Sequence, residues 1–485
     1  MSFNPDDLLT LLPELVLLGM TCAILLIDLF VPQERRAVTH WLSVLALIVT
    51  GVLVWHGAPE IGTVRAAFNG MFLSDGVATV LKLFVLLTTA AVFIYGRPYL
   101  GDRRLLAGEY YLLLLFATLG MMILVSAGSL VTVFLGLELL TLSSYALVAL
   151  DRDSALSSEA AMKYFVLGSL ASGLLLYGMS MIYGATGTLD LAGIHSLASF
   201  AAGGGHRTLL AFGLVFLVAG IAFKLGAAPF HMWLPDVYQG ARTPITLFVG
   251  SASKLAAFGM AYRLLDGALG GMAGDWTLML ALIAALSLAV GNLFAIVQSN
   301  LKRMLAYSTI SHMGFLFVGL ANGGPEGFAA AMFYAITYAL MTTVAFGMIL
   351  LLARAGFEAE EIDDFKGLNQ RNPWYAAMMA LAMFSLAGVP PLFGFFAKLL
   401  VLRAAIDAGH LWLAIVAIVF AIVGLFYYLR VVKVMYFDDA AEATPLPLPS
   451  DRLFRWVLSV NGVALLVMGA TWGPLFDWCN RAIGS

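Results

Sequence analysis

Cysteine is nearly absent from this 485-residue chain. Cys22 and Cys479 stand at opposite ends, and no C-x-x-C or cysteine–histidine cluster exists to hold zinc or an iron–sulfur centre. Charge is scarce as well, at 11% of positions, where soluble domains carry roughly 25%. The seven histidines are scattered, and no G-x-G-x-x-G fingerprint opens a helix after a strand, so nucleotide binding has no support. The N-terminus lacks the basic run of a secretory signal, and the first apolar run reads as a retained helix. These absences leave no expected metal, cofactor or nucleic-acid site in the chain.

What is abundant is apolar. Hydrophobic residues fill 61% of positions, the mean hydropathy is +0.94, and 48 glycines suit close helix packing in lipid. The predicted class is an all-α polytopic protein whose surroundings are the bilayer. Apolar runs of about 20 residues predict about fourteen spans: 8–30, 40–57, 77–95, 109–127, 130–150, 160–183, 208–228, 244–265, 275–298, 303–321, 327–353, 374–406, 411–436 and 453–473.

Two spans are interrupted. In the seventh, Lys224 is followed by Pro229 and Pro235; in the twelfth, Pro390 and Pro391 precede Lys398. Proline lacks an N–H and clashes with the carbonyl four residues back, so each helix is expected to break beside a buried cation. Broken backbone at membrane depth must line protein or water, and an ionisable group there marks an ion path. Pro-broken spans at corresponding places in two halves are the sequence sign of inverted repeats. The expected division is an N-terminal three-helix bundle (1–107), a five-helix unit (108–270), its inverted copy (271–437), and a linker with a closing helix (438–485).

Basic residues sort by connection. Odd-numbered loops hold Arg35, Arg36, Arg97, Arg103, Arg104, Arg152, Arg242, Lys302, Arg303, Arg354, Lys366, Arg371, Arg430, Lys433, Arg452 and Arg455, whereas even-numbered ones and the tail hold Arg65, Arg207, Arg263, Arg403 and Arg481. The positive-inside rule then places both termini on the non-cytoplasmic side. The polar linkers 354–372 and 438–451 read as solvated connections, with docking to a soluble partner as the alternative. The basic residues left inside spans are Lys82, Lys163, Lys224, Lys254 and Lys398, all lysines. Burial can bring a lysine toward neutrality, whereas arginine stays charged, so lysine is the residue suited to load and release a proton.

Glu138 lies in the fifth span among Thr141, Ser143 and Ser144. Beside a lysine it ionises, and the separation of the pair sets the proton affinity of each; the alternative is a static ion pair. Lys163 is either a modulator of Glu138 or a side chain reaching the cytoplasmic surface. Lys254, flanked by small residues, is a candidate relay from Lys224. His312 in the tenth span is a relay or a packing residue, and Tyr334, Thr337, Tyr338, Thr342 and Thr343 are hydroxyls for a water file. Glu14, Asp28 and Lys82 are expected to pair locally or to snorkel to the membrane surface, and His231 and Asp236 to serve the exposed backbone at the break.

The stretches Phe134-Leu-Gly-Leu-Glu138, Met162-Lys163-Tyr-Phe, Phe223-Lys224-Leu-Gly-Ala-Ala-Pro229-Phe-His-Met-Trp-Leu-Pro235-Asp236, Ser253-Lys254, Asn300 to Gly314 and Ser385 to Lys398 together resemble the proton-pumping, antiporter-like membrane subunits of respiratory complex I. The resemblance implies a role for each position: Glu138 as the carboxylate of a Glu/Lys pair, Lys163 as its modulator, Lys224 as central proton carrier, Lys254 as relay and Lys398 as terminal carrier. The His312 relay is a reading of the residues and not of the family. The resemblance also implies that NADH, FMN, iron–sulfur clusters and quinone belong to other subunits, that the partners are further membrane subunits including antiporter-like ones, and that the location is the bacterial inner membrane. Subunits of multi-protein sodium/proton antiporters and membrane-bound hydrogenases share these motifs and are the rival readings.

Overall fold

Glycines at the helix crossings set how closely this chain packs. At Gly120 a Cβ would meet the backbone nitrogen of Leu140 at 2.6 Å, and at Gly136 that of Leu124 at 2.7 Å, so these two helices touch backbone to backbone. Gly291 and Gly314 do the same for a second pair, against Ser311 N at 2.4 Å and Leu288 N at 3.0 Å. Small residues serve this purpose where lipid supplies no hydrophobic drive between helices.

The computed structural model describes residues 5–60, 62–201, 206–439 and 451–484. It opens with α1 (Pro5–Thr10), α2 (Leu12–Asp28) and α3 (Ala37–His56), then β1 (Arg65–Ala67), β2 (Phe72–Ser74) and α4 (Gly76–Asp102). Next come α5 (Gly108–Val125), α6 (Leu130–Val148), α7 (Ala155–Thr186), α8 (Leu191–Ala201), α9 (Arg207–Leu225), α10 (Trp233–Gly240), α11 (Thr243–Gly250) and α12 (Ala252–Leu265). The rest is α13 (Ala273–Ile296), α14 (Leu301–Ala321), α15 (Gly324–Leu352), α16 (Leu368–Arg371), α17 (Pro373–Ala387), α18 (Phe393–Asp407), α19 (Leu411–Phe437), α20 (Arg452–Ala470) and α21 (Gly473–Ile483).

The chain is a polytopic all-α membrane protein. Among the described residues, 12 helices are long and apolar enough to cross a bilayer. The other two expected spans are the 17-residue α2 and the 15-residue limbs α17 and α18, each too short by itself. The expectation of helix alone missed the β1–β2 hairpin, which Asn69-Gly70 signals and whose turn takes positive φ at Phe68, Asn69 and Gly70. It also missed the short α8 between the sixth and seventh spans.

Burial locates the axis. α11, α12, α14 and α15 are enclosed along almost their whole length, whereas α7, α19 and α20 turn large apolar side chains outward. Polar residues on the enclosed helices are therefore removed from lipid and must find partners within the protein.

Several charges sit elsewhere than the loop reading placed them. Arg263 is buried, 5% exposed, and grips Asp75 at 2.6 and 2.8 Å. Lys302 is buried and donates to the Ala241 carbonyl and to Glu360. The 354–372 linker is thus not merely solvated: Glu358 accepts from Arg103 Nε at 2.9 Å, Arg242 Nη1 at 3.1 Å and the Tyr99 hydroxyl at 2.5 Å. Most of the other expected polar linker, 440–450, lies outside the described residues.

Candidate functional site

The seventh span ends its first limb at Leu225 because Gly226 adopts φ +78°, and Pro229 cannot rejoin the ladder. The chain re-enters helix only at Trp233. Pro235 is the third residue of α10, where a missing N–H is harmless, so the interruption is single, between Leu225 and Trp233, and not double as the two prolines had indicated. The twelfth span repeats the device: α17 stops at Gly388, φ +88°, and α18 starts after Pro390 and Pro391. Serine hydroxyls tend both breaks, Ser287 accepting from Ala228 N at 2.9 Å and Ser385 from Gly394 N at 3.0 Å.

Each first limb presents unsatisfied C-terminal carbonyls, and a lysine from elsewhere meets them. Lys254 Nζ donates to Leu225 O at 2.9 Å and Lys224 O at 3.3 Å. Lys398 Nζ donates to Ala387 O at 2.9 Å and Leu386 O at 3.0 Å. Cations are favoured at helix C-termini by the partial negative charge there. Aromatic rings add to this, Trp233 at 5.1 Å from Lys254 Nζ and Phe315 at 4.9 Å from Lys398 Nζ.

Lys224 differs from both. It is 4% exposed, and among the described residues no group hydrogen-bonds its Nζ. Glu138 is half-buried on α6, its carboxylate accepting from Ser172 Oγ at 2.5 Å. Among the described residues no ion pair joins Glu138 to Lys224 or Lys163. Where α6, α7 and α9 meet, a cavity of about 20 Å³ is lined by Thr141, Tyr145, Ser172 and Lys224, room for about one water.

Lys163 is not at Glu138. It is exposed and pairs with Glu159 and Asp236, each at 2.8 Å, which is the surface-reaching alternative of the sequence reading. Asp236 does not cap the exposed backbone either; its second oxygen accepts from Arg303 at 2.8 Å. His312 is fully engaged, Nδ1 with the Tyr334 hydroxyl at 2.6 Å and Nε2 with that of Tyr428 at 3.0 Å. Tyr428 meets Ser308 at 2.5 Å, and Thr309 meets Tyr338 at 2.6 Å, so α14, α15 and α19 share a row of hydroxyls around the imidazole. Thr337 Oγ1 has no partner among the described residues, and Thr343 bonds its own helix.

The local pairings expected outside the breaks are present: Glu14 with Lys82 at 2.6 Å, and Asp28 with Arg36 and Thr39. The sequence reading missed Ser172 and the interruption at Ser251 between α11 and α12, for which Gly250-Ser251 was the available signal.

Interrupted apolar helices, with buried lysines seated on the carbonyl ends of the broken limbs, define a class of polytopic membrane protein built on discontinuous spans. Residues 127–424 match the family model described as NADH:quinone oxidoreductase/Mrp antiporter, transmembrane. A protein of Xanthomonas euvesicatoria named NADH-quinone oxidoreductase subunit N is 58% identical over 476 residues, covering 98% of this chain and 96% of that one. The protein of the same name from Thioalkalivibrio sulfidiphilus is 54% identical over the full length of both. A chain of respiratory complex I from Thermus thermophilus superimposes with a TM-score of 0.80 at 32% identity, over 96% of this chain and 98% of that one. A chain of the Mrp complex from Dietzia, at 22% identity and TM-score 0.81 over 99% of this chain and 97% of that one, shares the fold. The chain therefore belongs to the NADH:quinone oxidoreductase/Mrp antiporter membrane family, and within it to the NADH-quinone oxidoreductase subunit N group.

Proposed function

We propose that this chain is a proton-translocating membrane subunit of an NADH:quinone oxidoreductase, moving protons along Glu138, Lys224, Lys254, His312 and Lys398 while quinone is reduced elsewhere in the complex. NADH, FMN, iron–sulfur clusters and quinone are assigned to other subunits, and further antiporter-like subunits are neighbours in the bacterial inner membrane. Both termini face the non-cytoplasmic side in this reading. The four-part division at 107/108, 270/271 and 437/438 goes with it, supported by the paired glycine crossings and by the two limbs that end alike.

The observation that carries the reading is Lys224: a buried amine without a hydrogen-bond partner among the described residues, at a helix break, beside a cavity shared with the serine that holds Glu138. When Glu138 is near, its charge supports the ammonium. When the separation grows, holding the proton on Lys224 costs more and it passes toward Lys254. Lys254 and Lys398 accept it on sites already furnished with carbonyl oxygens. The relatives at 54–58% identity favour this over the sodium/proton antiporter and hydrogenase readings.

The test is Lys224→Met in the assembled complex, reconstituted in vesicles. Protons moved per NADH should fall, while the NADH dehydrogenase reaction on the soluble side persists. Unchanged stoichiometry would refute the assignment.

A further inference from the structure

α20 packs chiefly on α15, α17 and α18, and between it and α4 runs a cleft of about 460 Å³, floored by Leu340 and Thr343 of α15. Leu87, Ala91 and Ile94 line it from α4, and Val460 and Ala464 from α20. Its rim faces outward at membrane depth, since Leu87 and Val460 are both exposed.

Two polar features interrupt this apolar surface. Tyr95 is fully buried and lines the cleft, and among the described residues no group is placed to hydrogen-bond its hydroxyl, although Asn461 lies near it. A buried phenol without a partner is costly until something supplies one. Arg97 follows Ile94 by three residues and Ala90 by seven, so it stands on the cleft-lining face of α4, nearly one turn closer to the helix end. Among the described residues no carboxylate pairs with it; its guanidinium lies 5.9 Å from the ring of Trp41. Arg452, exposed and likewise without a carboxylate among the described residues, opens α20 at the same end. His40 is within electrostatic range of both Arg97 and Asp451, so the end of α4 and the start of α20 come together there. Asp451 itself is taken up by the N–H groups of Leu453 and Phe454.

We propose that this cleft binds one anionic phospholipid, with its phosphate on Arg97 and Arg452, an ester carbonyl on the Tyr95 hydroxyl and one acyl chain along the cleft. In the orientation given above, the lipid belongs to the cytoplasmic leaflet.

Each part of the lipid meets its own chemistry. Guanidinium groups hold phosphate oxygens through paired N–H donors. Tyr95 precedes Arg97 and, as helical side chains do, leans toward the helix N-terminus, so its hydroxyl lies deeper in the membrane than the arginine end. The ester carbonyls of a phospholipid lie below its phosphate in the same order. Trp41 and Trp456 are exposed at the arginine end, where interfacial aromatics belong. A helix of a neighbouring subunit is too large an occupant, because two turns of helix about 10 Å across fill roughly 800 Å³. The bound lipid would fill the interval between the N-terminal bundle and the closing helix.

The test uses the assembled complex in vesicles of phosphatidylethanolamine and phosphatidylglycerol, doped with a phosphatidylglycerol that carries a diazirine in mid-chain. Peptides labelled on irradiation are then mapped. Wild type should label within 84–94 and 457–468. R97Q should lower that labelling roughly fivefold, the weight of one basic residue at an anionic surface, and Y95F roughly threefold, that of one hydrogen bond. Labelling of the outward face of α19 should stay unchanged in both. A464F fills the cleft and should abolish the label there. Unlabelled phosphatidylglycerol should displace the probe from wild type and phosphatidylcholine should not, a comparison that needs no variant to assemble. Absence of label in wild type means that a neighbouring subunit covers the cleft, and overturns the proposal. Labelling that R97Q leaves unchanged, or that phosphatidylcholine displaces equally, marks ordinary surrounding lipid and overturns it too.

Discussion

Lys254 caps the helix that carries Lys224: its Nζ lies 2.9 Å from the Leu225 carbonyl and 3.3 Å from that of Lys224 itself. The group proposed to take the proton is thereby bonded to the backbone of the group proposed to give it. Lys398 stands in the same relation to α17, through Leu386 and Ala387.

The two lysines therefore have separable duties as cap and as carrier. Lys254→Met should remove both, leaving two buried carbonyls without a donor at about 1–3 kcal/mol each. Lys254→Gln keeps a donor but no titrating amine. Thermal unfolding of the purified complex, followed together with protons per NADH, should show K254M losing stability and pumping, and K254Q losing pumping alone.

His312 is held at both nitrogens by phenols. His312→Phe leaves the Tyr334 hydroxyl facing an apolar ring while that of Tyr428 keeps Ser308, and a loss of about 1–3 kcal/mol for the stranded group is expected. Denaturation midpoints check the stability, and pumping in whatever assembles separates the relay from the packing duty.

Arg263 and Asp75 join α12 to the start of α4 through two hydrogen bonds under full burial. Arg263→Leu strands a carboxylate and should cost about 3–5 kcal/mol. The level of assembled complex in the membrane should drop, and Arg263→Leu with Asp75→Leu should recover part of it. A single variant with wild-type assembly would contradict the energetic importance of the pair.

Glu358 clasps three basic and phenolic partners, Tyr99 and Arg103 at the end of α4 and Arg242 just before α11. Burial pushes its carboxyl upward, but the Arg103 guanidinium, the Tyr99 hydroxyl and Arg242 outweigh it and hold the group below its ordinary value. A depressed folded value means the clasp stabilises the fold above the unfolded carboxyl pKa, about 4.3, and loses that contribution as pH falls through the folded value. Glu358→Gln should therefore lower thermal stability at neutral pH, and the gap from wild type should close only on strong acidification.

Much of this was legible because apolar run length and proline are local signals. The spans, both broken helices and the lysines at their breaks follow from residues close in sequence. Partnership was not legible. Lys163 and Asp236 are 73 residues apart, Asp75 and Arg263 are 188 apart, and no periodicity says which carboxylate a cation will choose. Arg263 and Lys302 read as loop charges because they fall at span ends, where a buried ion pair and a surface charge look alike in sequence. Ser251 went unseen because one irregular residue, φ −116° and ψ −82°, interrupts a helix without proline.

The glycine crossing of α5 and α6 bears on which part of the machine can move. Gly136 lies two residues before Glu138, and even a methyl group there would strike the Leu124 backbone. The carboxylate is mounted on a fixed post, with no compressible side chain between it and the neighbouring helix. With α6 fixed there and the end of α9 capped by Lys254, any change in the distance between Glu138 and Lys224 falls to the rotations of the two side chains, so the pair works as two swinging arms between fixed mounts.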